Sequence, residues 1–126
     1  MIETGAVLDE RGEAFYWHIP QNRSVGVLPD SYNLWNVFWQ NRNTISGFAH
    51  SHPGFGKTGP SPTDITTFAA IEAGLGKRLD WWITSGDSII LIRWNGPNKF
   101  DYQQMDITME PNWVHVLRQF SAYTNH

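Results

Sequence analysis

His50 and His52 flank a single serine, and Asp64 follows after a stretch rich in glycine and proline. Imidazole nitrogens and a carboxylate oxygen are ordinary zinc ligands, and the pattern that carries them is one that could bring all three to one ion. Ile45 to His52 reads as a β-strand stopped by Pro53. Side chains alternate along a strand, so two residues two apart project to the same side. Pro53 to Pro60 holds three glycines and two prolines, which makes it a loop able to turn the chain back. Ser61-Pro62-Thr63-Asp64 then has the residues of a helix start, with Ser61 as N-cap, Pro62 at the first helical position and an acid at the third. Capping explains Ser61 and Asp64 by themselves; it gives no reason for the paired histidines. Three protein ligands leave a fourth position on a tetrahedral ion for water, the arrangement of a catalytic rather than a structural site.

The run His50-Ser51-His52-Pro53-Gly54-Phe55-Gly56 followed by Ser61-x-x-Asp64 resembles the signature of the JAMM (MPN+) zinc metallopeptidases. That resemblance implies Zn2+ held by His50, His52 and Asp64, Ser61 stabilising the oxyanion, and an upstream glutamate as general acid/base. Glu3, in Glu3-Thr4-Gly5-Ala6-Val7-Leu8, fits the family's early strand, whereas Glu10 and Glu13 fall in a charged hairpin connection. The interval between His52 and Ser61 is one residue longer than the family's usual spacing. By the same resemblance, the substrate is a peptide or isopeptide bond at the tail of a ubiquitin-like or sulfur-carrier protein, or in another extended peptide. The chain is similar to a minimal prokaryotic or phage-type stand-alone member. Domains of the same MPN fold also serve as metal-free interaction scaffolds, which is the alternative reading.

The elements that must position these residues follow from patterning. Ile2 to Leu8 and Ala14 to Ile19 are β-prone segments around a charged turn, and Ser31 can cap a helix over 32–41 with Leu34, Trp35, Phe38 and Trp39 at helical spacing. The motif helix covers 62–74, with Gly74 and Gly76 available to stop it. Leu79 to Thr84, Ser88 to Trp94 and Phe100 to Met109 read as a strand meander. Glu110-Pro111 opens a last helix whose Val114, Leu117 and Phe120 form an apolar stripe, flanked by Trp113 and Val116. The expected fold is α+β in a single domain over 1–126. By resemblance it is an α/β-type MPN/JAB domain, with a mixed, mostly antiparallel curved sheet and flanking helices.

At 126 residues with 40% apolar content, one core is expected. A net charge of −3 gives no basic field for phosphates, so nucleic acid and anionic membrane are not expected partners. The absence of cysteine excludes disulfides, thiolate metal sites and a cysteine nucleophile. With no membrane-length apolar run and no signal-peptide pattern at the start, a cytoplasmic location is expected. His18, His115 and His126 have no partner at ligand spacing and are expected to be dispensable for metal. The loop Gly54 to Pro60 is expected to be a mobile flank with little to pack against, and small residues are expected at the scissile bond.

Overall fold

The computed structural model describes residues 2–24 and 28–121. Its elements are β1 (Gly5–Asp9), β2 (Ala14–His18), α1 (Tyr32–Gln40), β3 (Ile45–Ser51), α2 (Pro62–Leu75), β4 (Asp80–Thr84), β5 (Ile89–Trp94), β6 (Tyr102–Asp106) and α3 (Asn112–Phe120). The strands form one open sheet in the order β2-β1-β3-β4-β5-β6, antiparallel throughout except for the β3–β4 pair. This is the α+β architecture expected from the patterning, with the mixed, mostly antiparallel sheet that the resemblance implies. The parallel pair has a topological cause: parallel neighbours cannot be joined by a tight turn and need a crossover, which is α2.

Alternation along the strands divides the core in two. Val7, Phe48, Trp81, Ile83, Ile90 and Ile92 point to the face covered by α1 and α2, where they meet Leu34, Phe38, Phe68 and Ile71. Ala6, Leu8, Ala49 and Ile89 point to the other face, against Trp113, Val114 and Leu117 of α3. His50 lies two residues beyond Phe48 and therefore shares the α1/α2 face, while Ser51 shares the α3 face.

The helix ends explain where α1 and α2 stand. Ser31 accepts the Leu34 N–H at 3.1 Å and starts α1, which buries Leu34 and Phe38 one turn apart. A full capping box starts α2: Ser61 Oγ accepts the Asp64 N–H at 3.0 Å, and Asp64 Oδ2 accepts the Ser61 N–H at 2.9 Å. Gly76, at φ 70°, ends α2 in the left-handed conformation that glycine adopts without a Cβ penalty. Gly74, the other expected stop, lies inside the helix. Near the end of α2, Glu72 is buried, and its carboxylate accepts from Leu79 N–H at 2.8 Å, Trp81 Nε1–H at 3.0 Å, Arg78 Nη1 at 3.0 Å and the Tyr102 hydroxyl. Four donors offset the cost of burying the carboxylate and pin the start of β4 to the crossover helix.

β1 and β6 fall short of their predicted ranges by more than a single end residue. β1 begins at Gly5 rather than Ile2, because Ile2 N–H bonds to Ser121 O and Glu3 N–H to Ser24 O instead of joining the β2 ladder. β6 covers 102–106 rather than Phe100 to Met109. The chain before it is taken up in a turn where Asn98 N–H bonds to Asp101 Oδ2, and Asp101 N–H bonds back to Asn98 O. In α3 Trp113, Val114 and Leu117 are buried as expected, but Phe120 is 40% exposed and packs its ring on Trp17.

Candidate metal centre

Strand β3 delivers His50 as its second-last residue, and His52 follows directly, held by a 2.7 Å bond from its N–H to Thr84 O. Helix α2 brings Asp64 to them in its first turn. The His50 and His52 Nε2 atoms lie 2.9 Å apart, His52 Nε2 is 3.3 Å from Asp64 Oδ2, and His50 Nε2 is 3.7 Å from Asp64 Oδ1. One ligand atom from each residue falls within 4.8 Å of the others, the only such cluster of three metal-ligating side chains among the described residues. Two ligands at about 2.0–2.1 Å from a tetrahedral ion are roughly 3.3 Å apart, a value the three separations bracket. The cluster is compatible with a metal ion.

Its electrostatics favour the ligand forms. Burial pushes the His50 imidazole down to about 4, with the neighbouring His52 adding to the effect and Asp64 opposing it, so the ring is neutral at pH 7. Burial acts to raise Asp64, but the hydrogen bond to His52, the proximity of His50 and the Ser61 N–H outweigh it and hold the carboxyl at about 2. A neutral imidazole and an ionised carboxylate are the forms that bind metal without first losing a proton.

Glu3 lies in the same cleft, 7% exposed. It stands two residues before β1, yet its neighbourhood is fixed. Thr4 N–H donates to Ser51 Oγ at 2.8 Å, Ser51 N–H donates to Thr4 O at 3.0 Å, and Arg23 Nη1 donates to Glu3 O at 3.3 Å and to Thr4 Oγ1 at 2.5 Å. Burial raises the Glu3 carboxyl to about 7, with His52 lowering it and Asp64 raising it. A carboxyl that gains and loses its proton near neutrality beside a metal-ligand cluster has the property a general acid/base needs. Ser61 lines the same cleft from an exposed position. Because its Oγ accepts the Asp64 N–H, its own hydroxyl hydrogen is left to donate outward.

Other contributors are not singled out by the sequence pattern. Thr58 Oγ1 lies 3.2 Å from His52 Nδ1, the nitrogen facing away from the cluster. An Nδ1–H donated there selects the tautomer that leaves Nε2 bare for metal. Ser51, between the two histidines, points to the opposite face and ties β3 to the Glu3 segment and, through a 2.8 Å hydroxyl contact, to Ser121. Alternation predicts that opposite facing; the partners, far away in sequence, it does not. Gly5 sits opposite His50 in the β1–β3 register, and a Cβ there would come within 2.4 Å of the Phe48 ring. That close approach lets Phe48 lie nearly parallel to the His50 ring, centroids 6.5 Å apart.

The loop after His52 departs from expectation. Its backbone is anchored on the β4–β5 turn: Gly86 N–H donates to Gly54 O at 2.9 Å, Gly56 N–H to Asp87 Oδ1 at 2.5 Å and Ser88 Oγ to Gly56 O at 2.8 Å. The Phe55 ring covers Gly86, where any Cβ would approach it to 2.3 Å, and Lys57 Nζ reaches Asp106 at 2.6 Å. The loop packs through its backbone onto polar turn residues, which its lack of an apolar pattern cannot reveal. Of the remaining histidines, His18 is 2% exposed in the cleft wall with Nε2 2.5 Å from Pro29 O, outside the metal cluster. His115 is exposed on α3, and His126 lies outside the described residues.

Comparison with protein-family models gives no match, and comparison with curated protein sequences gives none either. No helix among the described residues is long and apolar enough to cross a membrane.

Proposed function

We propose that the protein is a zinc-dependent hydrolase of peptide or isopeptide bonds, with His50, His52 and Asp64 holding the metal, Glu3 as general acid/base and Ser61 as oxyanion donor. The observation that carries this reading is the joint presence, in one cleft, of the His-His-Asp cluster and the buried Glu3 carboxyl. A structural metal site has no use for such a group; a hydrolytic one does.

Zinc, when bound, supplies a Lewis acid and lowers the pKa of a water toward about 7. The protein supplies the rest. His50 and Asp64 are already in ligand protonation states, and Thr58 orients His52. Glu3 takes a proton as the nucleophile forms and returns it to the leaving amine at the same carboxylate. The Ser61 hydroxyl donates to the oxygen of the scissile carbonyl as charge builds on it, and one such donor is worth about 2.7–4 kcal/mol where it has been measured. The substrate is an extended segment. Resemblance of the His-Ser-His-Pro and Ser-x-x-Asp motifs to the JAMM signature suggests the tail of a ubiquitin-like or sulfur-carrier protein, acted on in the cytoplasm.

The test is metal analysis of the purified protein together with cleavage of a panel of peptides and ubiquitin-like fusions, with and without chelator. Stoichiometric zinc and chelator-sensitive cleavage are expected. Zinc without any cleavage would favour an interaction scaffold; zinc retained by the His50→Ala/His52→Ala protein would overturn the ligand assignment.

A further inference from the structure

Helix α1 presents a second face, away from the metal. Leu34 and Phe38 point into the core, whereas Tyr32, Trp35 and Trp39 are 80%, 41% and 54% exposed. At 3.6 residues per turn these three lie within about 60° of one another around the axis and roughly one turn apart along it. Each is followed by an amide, Asn33, Asn36 and Gln40, so a row of amides runs beside the row of rings at the same spacing. None of the three amide side chains bonds to a described residue. Two of the rings are held in place. Trp35 meets Phe38 edge-on at 5.9 Å, and the Arg42 guanidinium lies 4.0 Å from the centre of the Trp39 ring while its Nη1 donates to Trp39 O at 2.7 Å.

We propose that this face of α1 binds a neutral saccharide chain, with sugar rings laid on the aromatic planes and their hydroxyls bonded by Asn33, Asn36 and Gln40. A sugar ring has an apolar C–H face that gains by covering an aromatic plane, and a rim of hydroxyls that both donate and accept, as an amide does. Three ring–amide pairs one turn apart call for a ligand that itself repeats at roughly 5.4 Å, which sugar residues in an extended chain do. Size and charge turn away the rival occupants. At about 150–250 Å² per aromatic, the three exposures leave on the order of 350 Å² of ring surface uncovered. A stable protein interface takes roughly 800 Å² from each partner. Single-stranded nucleic acid also stacks rings on aromatics, but it needs cations for its phosphates. α1 has no charged residue, and the chain carries a net charge of −3.

The experiment titrates cellohexaose and chitohexaose, two extended neutral chains, into nitrogen-15-labelled protein. At least one is expected to shift the indole N–H signals of Trp35 and Trp39 together with the side-chain amide signals of Asn33, Asn36 and Gln40. Trp35→Ala and Trp39→Ala should each weaken binding about 10-fold, the value of roughly 60 Å² of covered ring face. Gln40→Ala should weaken it about 2- to 10-fold, as the loss of one hydrogen bond does. Phe100→Ala, an exposed aromatic off the stripe, should change nothing. Should either indole variant melt below wild type, Tyr32→Ala, at the most exposed of the three rings, carries the same test. Chelated and zinc-loaded protein should bind alike, so the outcome is separate from the hydrolase reading. Shifts by neither saccharide, or affinity unchanged in the folded aromatic variants, would overturn the proposal. So would a hexathymidylate that binds these indoles more tightly than both saccharides, or a dimer in sedimentation that Trp35→Ala dissolves, which would give the face to nucleic acid or to a second copy.

Discussion

Ser51 and Thr4 are joined twice, by the Thr4 N–H donated to Ser51 Oγ at 2.8 Å and by the Ser51 N–H donated to Thr4 O at 3.0 Å. The serine between the two histidines thus fixes the residue next to Glu3, so the metal cluster and the proposed base share one backbone frame. Ser51→Ala leaves a buried N–H without its acceptor and also removes the Ser121 contact. Stability is expected to fall by about 1–3 kcal/mol in denaturant melts. Zinc content should stay stoichiometric while hydrolysis drops, because the ligands are untouched and the base is loosened. Loss of zinc with retained stability would contradict this division of roles.

Asp64 has two jobs, accepting the Ser61 N–H as part of the cap and facing both histidines. Asp64→Asn keeps an oxygen for the cap but loses the charge, so α2 should be destabilised by no more than about 0.3–1 kcal/mol. Zinc affinity, read by competition with a chelator, should fall by more than the roughly 10- to 100-fold typical of changes outside the ligand shell. Asp64→Asn binding zinc as tightly as wild type would remove Asp64 from the ligand set.

Much of this site is legible in the sequence because it is built from local rules. Strand alternation puts His50 and His52 on one side, and Ser61-Pro62-Thr63-Asp64 states its own helix start. What is illegible depends on partners far along the chain. Glu3 is fixed by Ser24 and Arg23 and its neighbour Thr4 by Ser51, and the post-histidine loop by Gly86, Asp87 and Ser88. Neither set has a periodicity to betray it. Glu72 looks like one more helix-surface acid until the fold brings Trp81, Arg78 and Tyr102 around it.

Glu3 and His50 should impose opposite pH dependences on the metal-free protein. Glu3 holds its proton up to about 7 when folded against an ordinary 4.5, so the stability it contributes is complete below 4.5 and is lost as pH rises to 7. His50 takes a proton at about 4 when folded against an ordinary 6.5, so the unfolded chain binds it first and stability is lost as pH falls from 6.5 to 4. Between 4.5 and 6.5 the two effects offset each other. Glu3→Gln removes the first and exposes the second. In chelator it should be more stable than wild type by about 1–3 kcal/mol at pH 8, equal to it below pH 4.5, and newly sensitive to acid from pH 6.5 downward. Thermal melts across this range decide the matter, and an unchanged difference at pH 8 and pH 4 would show that the Glu3 carboxyl is not held in its neutral form by burial.

Thr58 Oγ1 stands 3.2 Å from His52 Nδ1, and Lys57, the residue before it, reaches outward to Asp106. These adjacent loop positions should therefore respond differently to change. Thr58→Val keeps the branched shape and removes the acceptor, so the His52 tautomer is no longer selected. Zinc affinity should fall about 10- to 100-fold, the usual cost of losing such a partner. Lys57→Ala breaks only an exposed ion pair, worth about 0–1 kcal/mol, and should leave zinc affinity within twofold of wild type. Deleting Lys57 shortens the path between Gly56, which is tied to Asp87 and Ser88, and Thr58. It is expected to pull Thr58 from His52 and reproduce the Thr58→Val loss. Chelator competition on the three variants separates the possibilities: a Lys57 deletion that binds zinc like wild type, beside a Thr58→Val that does too, would mean His52 is oriented without Thr58.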